Sequence, residues 1–72
     1  MSYSEPAVLW RLRDLDGNQA RATIIPGIPQ STLVIFVNDQ FARGQNFEEW
    51  AQAIARADAV RASLVEAGWR PE

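Results

Sequence analysis

Cysteine, histidine and lysine are all missing from this chain of 72 residues. Without cysteine there is no disulfide framework, and without cysteine or histidine the usual zinc ligand sets cannot be assembled. The same absences remove the commonest general base, the thiolate nucleophile and the Schiff-base amine, leaving carboxylates, hydroxyls and arginine. The expectation is therefore a protein that is not an enzyme, with no catalytic, cofactor-binding or metal residues, no cofactor and no small-molecule substrate. Long apolar runs are lacking too, and Met1-Ser2-Tyr3-Ser4-Glu5-Pro6 has neither the basic start nor the apolar stretch of a signal peptide. No membrane association is expected, and the expected location is a bacterial-type cytoplasm. A net charge of -2 gives no general pull toward nucleic acid or acidic lipid.

A chain of this length closes one hydrophobic core, so residues 1–72 are read as a single domain. Such a chain buries only roughly 60% of its unfolded surface, and small folds are commonly reinforced by disulfides, metal or a partner subunit. With the first two unavailable, a homodimer or another protein partner is the expected reinforcement. All seven basic residues are arginine. Genome composition explains this as readily as function does, although arginine is the better fork for phosphate and carboxylate.

Period-two alternation marks the first half of the chain. Over 7–13, Val8, Trp10 and Leu12 oppose Leu9, Arg11 and Arg13. Asp14-Leu15-Asp16-Gly17-Asn18 supplies turn chemistry, and alternation resumes over 20–25, giving a hairpin. Pro26-Gly27-Ile28-Pro29-Gln30-Ser31 is a loop, because neither proline can donate to a ladder. Its formal PxxP is read as a plain connection. Thr32 to Val37 is a β-branched and aromatic run that is apolar on both faces, as a central strand would be. Asn38-Asp39-Gln40 reads as a second tight turn, and 41–45 as a short fourth strand weakened by Gly44.

A helix is expected over about 47–67. Asn46 is placed as its cap with Glu49 completing a capping box. Gly68 is the left-handed residue after its end, Trp69 packs back on Leu64, and Pro71 stops it, with the chain ends beyond expected to be loose. Phe47, Trp50, Ile54, Ala57, Val60, Leu64 and Val65 share the face expected to lie on the sheet. The predicted fold class is α+β: an antiparallel β-meander of three to four strands followed by one long C-terminal α-helix packed on one sheet face.

Asp14 and Asp16 could form an acid/base pair or open a calcium loop, but a favoured turn accounts for both. Gln19 and Ile25 also stand where a calcium loop needs glycine and glutamate. Arg61 falls inside the apolar stripe; it either snorkels and pairs with Asp58 or meets an anion or a partner at the rim. Ala51, Ala55, Ala59 and Ala62 form a small-residue strip that would suit a helix-mediated dimer, or else reflects helix propensity alone. The main candidate surface is the sheet face away from the helix, carrying Leu9, Arg11, Arg13, Arg21, Ile25, Val34 and Phe36. A mixed aliphatic, aromatic and guanidinium face of this kind is expected to meet another copy or a protein. The alternative is single-stranded nucleic acid, with arginine on phosphates and Phe36 stacking a base.

Two resemblances follow from particular residues. The succession Trp10-x-Leu12-Arg13, Asp16-Gly17, Phe47-x-x-Trp50-Ala51, Arg61-Ala62-x-Leu64 and Ala67-Gly68-Trp69 resembles small uncharacterised bacterial proteins and implies no activity. Asn46-Phe47-Glu48-Glu49-Trp50 is loosely similar to the helix start of the dimeric PC4-type single-strand DNA-binding coactivators. That resemblance implies four strands followed by a helix and a dimer. The lysine-rich strands and basic total charge of that family are missing here, and no binding residue carries over.

Overall fold

The computed structural model describes residues 7–27 and 29–72. The described residues form five strands, β1 (Ala7–Arg13), β2 (Gln19–Ile25), β3 (Ser31–Val37), β4 (Gln40–Phe47) and β5 (Arg70–Pro71), and one helix, α1 (Trp50–Glu66), that lies between β4 and β5 in the chain. They form one antiparallel sheet in the order β4-β3-β2-β1-β5. This is the expected α+β meander with its helix on one face, extended by a fifth strand.

The turns follow from their residues. Asp14 uses one carboxylate oxygen to accept from the backbone N–H groups of Asp16 (3.0 Å) and Asn18 (2.8 Å), and the other to accept from Asn18 Nδ2 (2.9 Å). Gly17 takes φ 85°, which glycine adopts without a Cβ penalty. In the second hairpin Asn38 and Asp39 both have positive φ, 52° and 64°. That is the two-residue turn whose twist matches its strands. Asn38 also joins the two turns: its Oδ1 accepts from Gln19 N (2.9 Å), and its Nδ2 donates to Asn18 Oδ1 (3.0 Å).

The core lies between the sheet and α1. Trp10, Leu12, Ala20, Ala22, Leu33 and Ile35 pack against Ala57, with Phe47, Val60, Leu64 and Trp69 around them. Small residues carry the contact: Ala53 and Ala57 are buried on the helix, Ala20 and Ala22 on β2. Trp10 Nε1 donates to the Ala57 carbonyl oxygen across 3.0 Å, so the largest core side chain is satisfied where it is buried. At its C-terminus α1 closes with Gly68 at φ 107°. Gly68 N donates to Val65 O and Trp69 N to Leu64 O, each at 3.0 Å. This is the expected Schellman closure, and it delivers Trp69 to the core.

Four sequence expectations change. First, a bulge between Val8 and Trp10 shifts β1, so Val8 faces Thr23 on the helix-free side while Leu9 packs against the core. An extra residue in a ladder exchanges the faces of what precedes it. Second, Asn46 caps no helix. It belongs to β4, where its Oδ1 accepts from Thr32 Oγ1 (2.7 Å). The capping residue is Glu49, without a side-chain cap, so the stretch compared with the coactivator helix start is mostly strand and linker. Third, the face of α1 on the sheet is Ala53, Ala57, Val60 and Leu64, leaving Trp50 and Val65 exposed. Fourth, the C-terminus pairs with β1 through Leu12↔Pro71 and Arg13↔Arg70. Pro71 is tolerated because it lies in an edge strand. The expected fourth strand, 41–45, is longer, Gln40–Phe47. Ile28 of the PxxP stretch lies outside the described residues. No helix in the described residues is long and apolar enough to cross a membrane.

Candidate functional site on the helix-free face

Alternation along β1, β2 and β3 sends every second side chain away from α1. Register then decides which of these become neighbours. Arg11 lies opposite Arg21, Arg21 opposite Phe36, and Phe36 opposite Phe41, giving a row that crosses four strands on one face. The next row holds Val8, Thr23, Val34 and Gly44, and the one after it Ile25, Thr32 and Asn46. At the other end Arg13 faces Gln19 on one side and Arg70 on the other.

Arginine and aromatic groups touch within the first row. The guanidinium of Arg21 lies 4.2 Å from the centroid of the Phe36 ring, over its face. Its Nη1 also donates to Asp39 Oδ1 in an ion pair. The ring of Phe41 lies across Gly44, since a Cβ there would be 3.1 Å from the ring edge. An aromatic ring laid over a strand glycine replaces the packing that the glycine cannot supply. Beside the row a cleft of about 390 Å³ is lined by Arg11, Gln19, Arg21, Phe36, Asp39 and Glu72. Glu72 reaches it because its backbone N–H donates to Arg11 O (3.1 Å), and its carboxylate stands 4.0 Å from Arg13 Nε.

Of the sequence candidates, Arg11, Arg13, Arg21, Ile25, Val34 and Phe36 share this face, whereas Leu9 leaves it for the core through the β1 bulge. Val34 is only 7% exposed, and Thr23 beside it is also buried. The accessible parts are thus the arginine and aromatic end and the Ile25 end. Four groups on the face were not read from the sequence: Phe41, Asp39, Arg70 and Glu72. Phe41 was legible as a strand residue, but its side depends on the bulge between Ile35 and Phe36. Arg70 and Glu72 were hidden by Pro71, which marks a helix stop and masks an edge strand.

The remaining candidates lie elsewhere. Ala51, Ala55, Ala59 and Ala62 are exposed on the outside of α1. Arg61 is half-buried on the helix flank and makes no ion pair with Asp58 among the described residues. Asp14 has its carboxyl held below the usual carboxylate range, chiefly by the Asn18 amide. Desolvation opposes the shift, and the backbone N–H donors of the turn add to it. Those donors occupy its oxygens, so Asp14 is a turn-former. No group of three or more acidic side chains among the described residues is placed to hold a metal ion. No known protein family, curated protein or solved structure matches the chain.

Proposed function

We propose that the protein is a small non-catalytic interaction module that works as a homodimer, its copies meeting through the helix-free sheet face. The observation that carries this reading is the row Arg11, Arg21, Phe36 and Phe41, which gathers guanidinium and aromatic groups on a face that α1 does not cover. Aromatic residues and arginine are the types enriched at protein interfaces. Both signs of charge stand at this end of the sheet, Arg11, Arg13, Arg21 and Arg70 with Asp39 and Glu72. A second copy related by a two-fold axis could therefore place carboxylates against guanidinium groups. The core supports the same reading. Among the described residues, four of the ten buried apolar side chains are alanine, and Leu12 and Ile24 are the large ones buried completely. A core this thin leaves a 72-residue chain in need of external reinforcement.

The test is the replacement Phe36→Glu with sedimentation equilibrium as readout. An unpaired carboxylate in the interface opposes association, so the variant should be a folded monomer where the unmodified protein is a dimer. A variant that sediments as the same dimer would sink the placement.

One observation favours a second reading, single-stranded nucleic acid on this face: the stacked Arg21 and Phe36 beside three further arginines. Asp39 on Arg21 and Glu72 beside Arg13 offset two of those charges, which is why protein association is preferred. Oligonucleotide binding that weakens steeply with salt and is lost on replacing Arg11 and Arg13 by alanine would reverse that preference.

A further inference from the structure

The two edges of the sheet are finished differently. Along β1, the pairing with β5 occupies Leu12 and Arg13 and ends the sheet in Pro71, a residue that cannot donate to a further strand. Along β4 none of the described residues pairs on the outer side for eight residues, and all of the eight except Phe47 are exposed. Of the usual protections of an edge, β4 has a bulge at Ala42 and one charge, Arg43, but no proline or lysine.

Beside this edge runs a groove between β4 and α1. Toward the start of β4 a mainly apolar hollow of about 250 Å³ opens over β2, β3 and β4, lined by Ile35, Val37, Ala42, Val60, Leu64 and Trp69, with Arg43 at its border. Next to it is a hollow of about 260 Å³ that shares Val60 and Leu64 and is bordered by Arg43 and Arg56. Neither of these arginines forms an ion pair within the described residues. An unsatisfied backbone edge, an apolar hollow and two guanidinium groups without carboxylate partners thus lie side by side. Strand addition uses this combination: main-chain hydrogen bonds supply affinity, and pockets for alternate side chains supply selection.

We propose that β4 accepts an extended peptide segment of a partner protein as a sixth strand. One apolar side chain of the segment enters the hollow over Val60, Leu64 and Trp69, and a carboxylate two residues away meets Arg43 and Arg56. The two-residue spacing follows from strand geometry, in which alternate side chains share a face. Charge complementarity fixes the chemistry of the occupant as acidic and apolar. This site is separate from the helix-free face and does not depend on what meets that face.

The test uses an acetylated, amidated eight-residue peptide of alternating threonine and valine in which two valines two positions apart are replaced by leucine and aspartate, titrated against the full chain by fluorescence anisotropy. Binding is expected, with Arg43→Glu and Arg56→Glu each weakening it by about tenfold. A peptide carrying arginine in place of aspartate should recover affinity for the Arg43→Glu variant. N-methylation of the peptide should abolish binding only at alternate amides, the pattern of a ladder. Equal binding of the aspartate peptide and its asparagine counterpart, indifference to N-methylation, or no binding would overturn the proposal. An unmodified protein whose β4 edge is already occupied by a second copy, as seen in amide exchange that Arg43→Glu releases, would overturn it as well. The sheet-face reading would stand in the first three cases, since Phe36 has no part in this groove, whereas copies paired through β4 would contradict both readings.

Discussion

Alanine does the most at the scale of single residues. Ala53 and Ala57 let the backbone of α1 approach the sheet closely enough for Trp10 to bond a helix carbonyl. Replacing Trp10 by phenylalanine removes that donor and part of the ring, and should cost about 1–3 kcal/mol by thermal or chemical unfolding, from the lost hydrogen bond and the space left behind. A variant as stable as the unmodified protein would show that the bond is not a net contributor. Trp10 was legible as a core residue because it sits on the inward phase of an alternating strand. Ala57, whose carbonyl it bonds, was legible on the inner face of the helix, but Ala53 was not, because alanine carries little hydrophobic signal on a helical wheel: at 100° per residue Trp50 and Val65 drew the apolar face about 50° of arc away from where Ala53 puts it. Leu9 shows a second limit. The bulge that moves it to the core depends on the fit between β1 and β2, which no local pattern in the chain records.

Elements were read well where their ends are written in side-chain chemistry. Gly17, Asn38 and Asp39 each take the backbone conformation that their types favour, Asp14 accepts the turn N–H groups, and both hairpins follow. Gly68 does the same at the end of α1. Its φ of 107° is open to glycine, and a Cβ there would meet nothing within 4 Å, so any penalty is one of backbone strain alone. Gly68→Ala should lower stability by about 1 kcal/mol or more, with the loss confined to the α1 C-terminus and β5 in native-state amide exchange. Uniform loss across the sheet would mean that the Schellman closure is coupled to the whole core. The start of α1 was misplaced because Asn46 satisfies two patterns at once, a helix cap and a strand residue, and pairing with Thr32 in the β3–β4 ladder prevails. β5 was missed for the matching reason: Pro71 is a stop signal for a helix and acceptable at a sheet edge.

At the scale of the whole molecule, one helix serves a five-stranded sheet. It covers one face, and the other carries the arginine and aromatic row together with exposed Val8, Ile25 and Phe41, the last 67% exposed. That one helix would leave a second face uncovered was legible from the count of elements. Which end of it is accessible was not, because the burial of Thr23 and Val34 and the arrival of Arg70 and Glu72 are tertiary facts. The measurement that tests the central claim most directly is a search for intermolecular nuclear Overhauser effects in a sample mixing isotopically labelled and unlabelled chains. The account predicts cross-peaks between copies from the Phe36 ring, the Phe41 ring and the Ile25 methyls, and none from Ala51, Ala55 or Ala62. Cross-peaks from the outer strip of α1 instead, or a monomer with none at all, would contradict it.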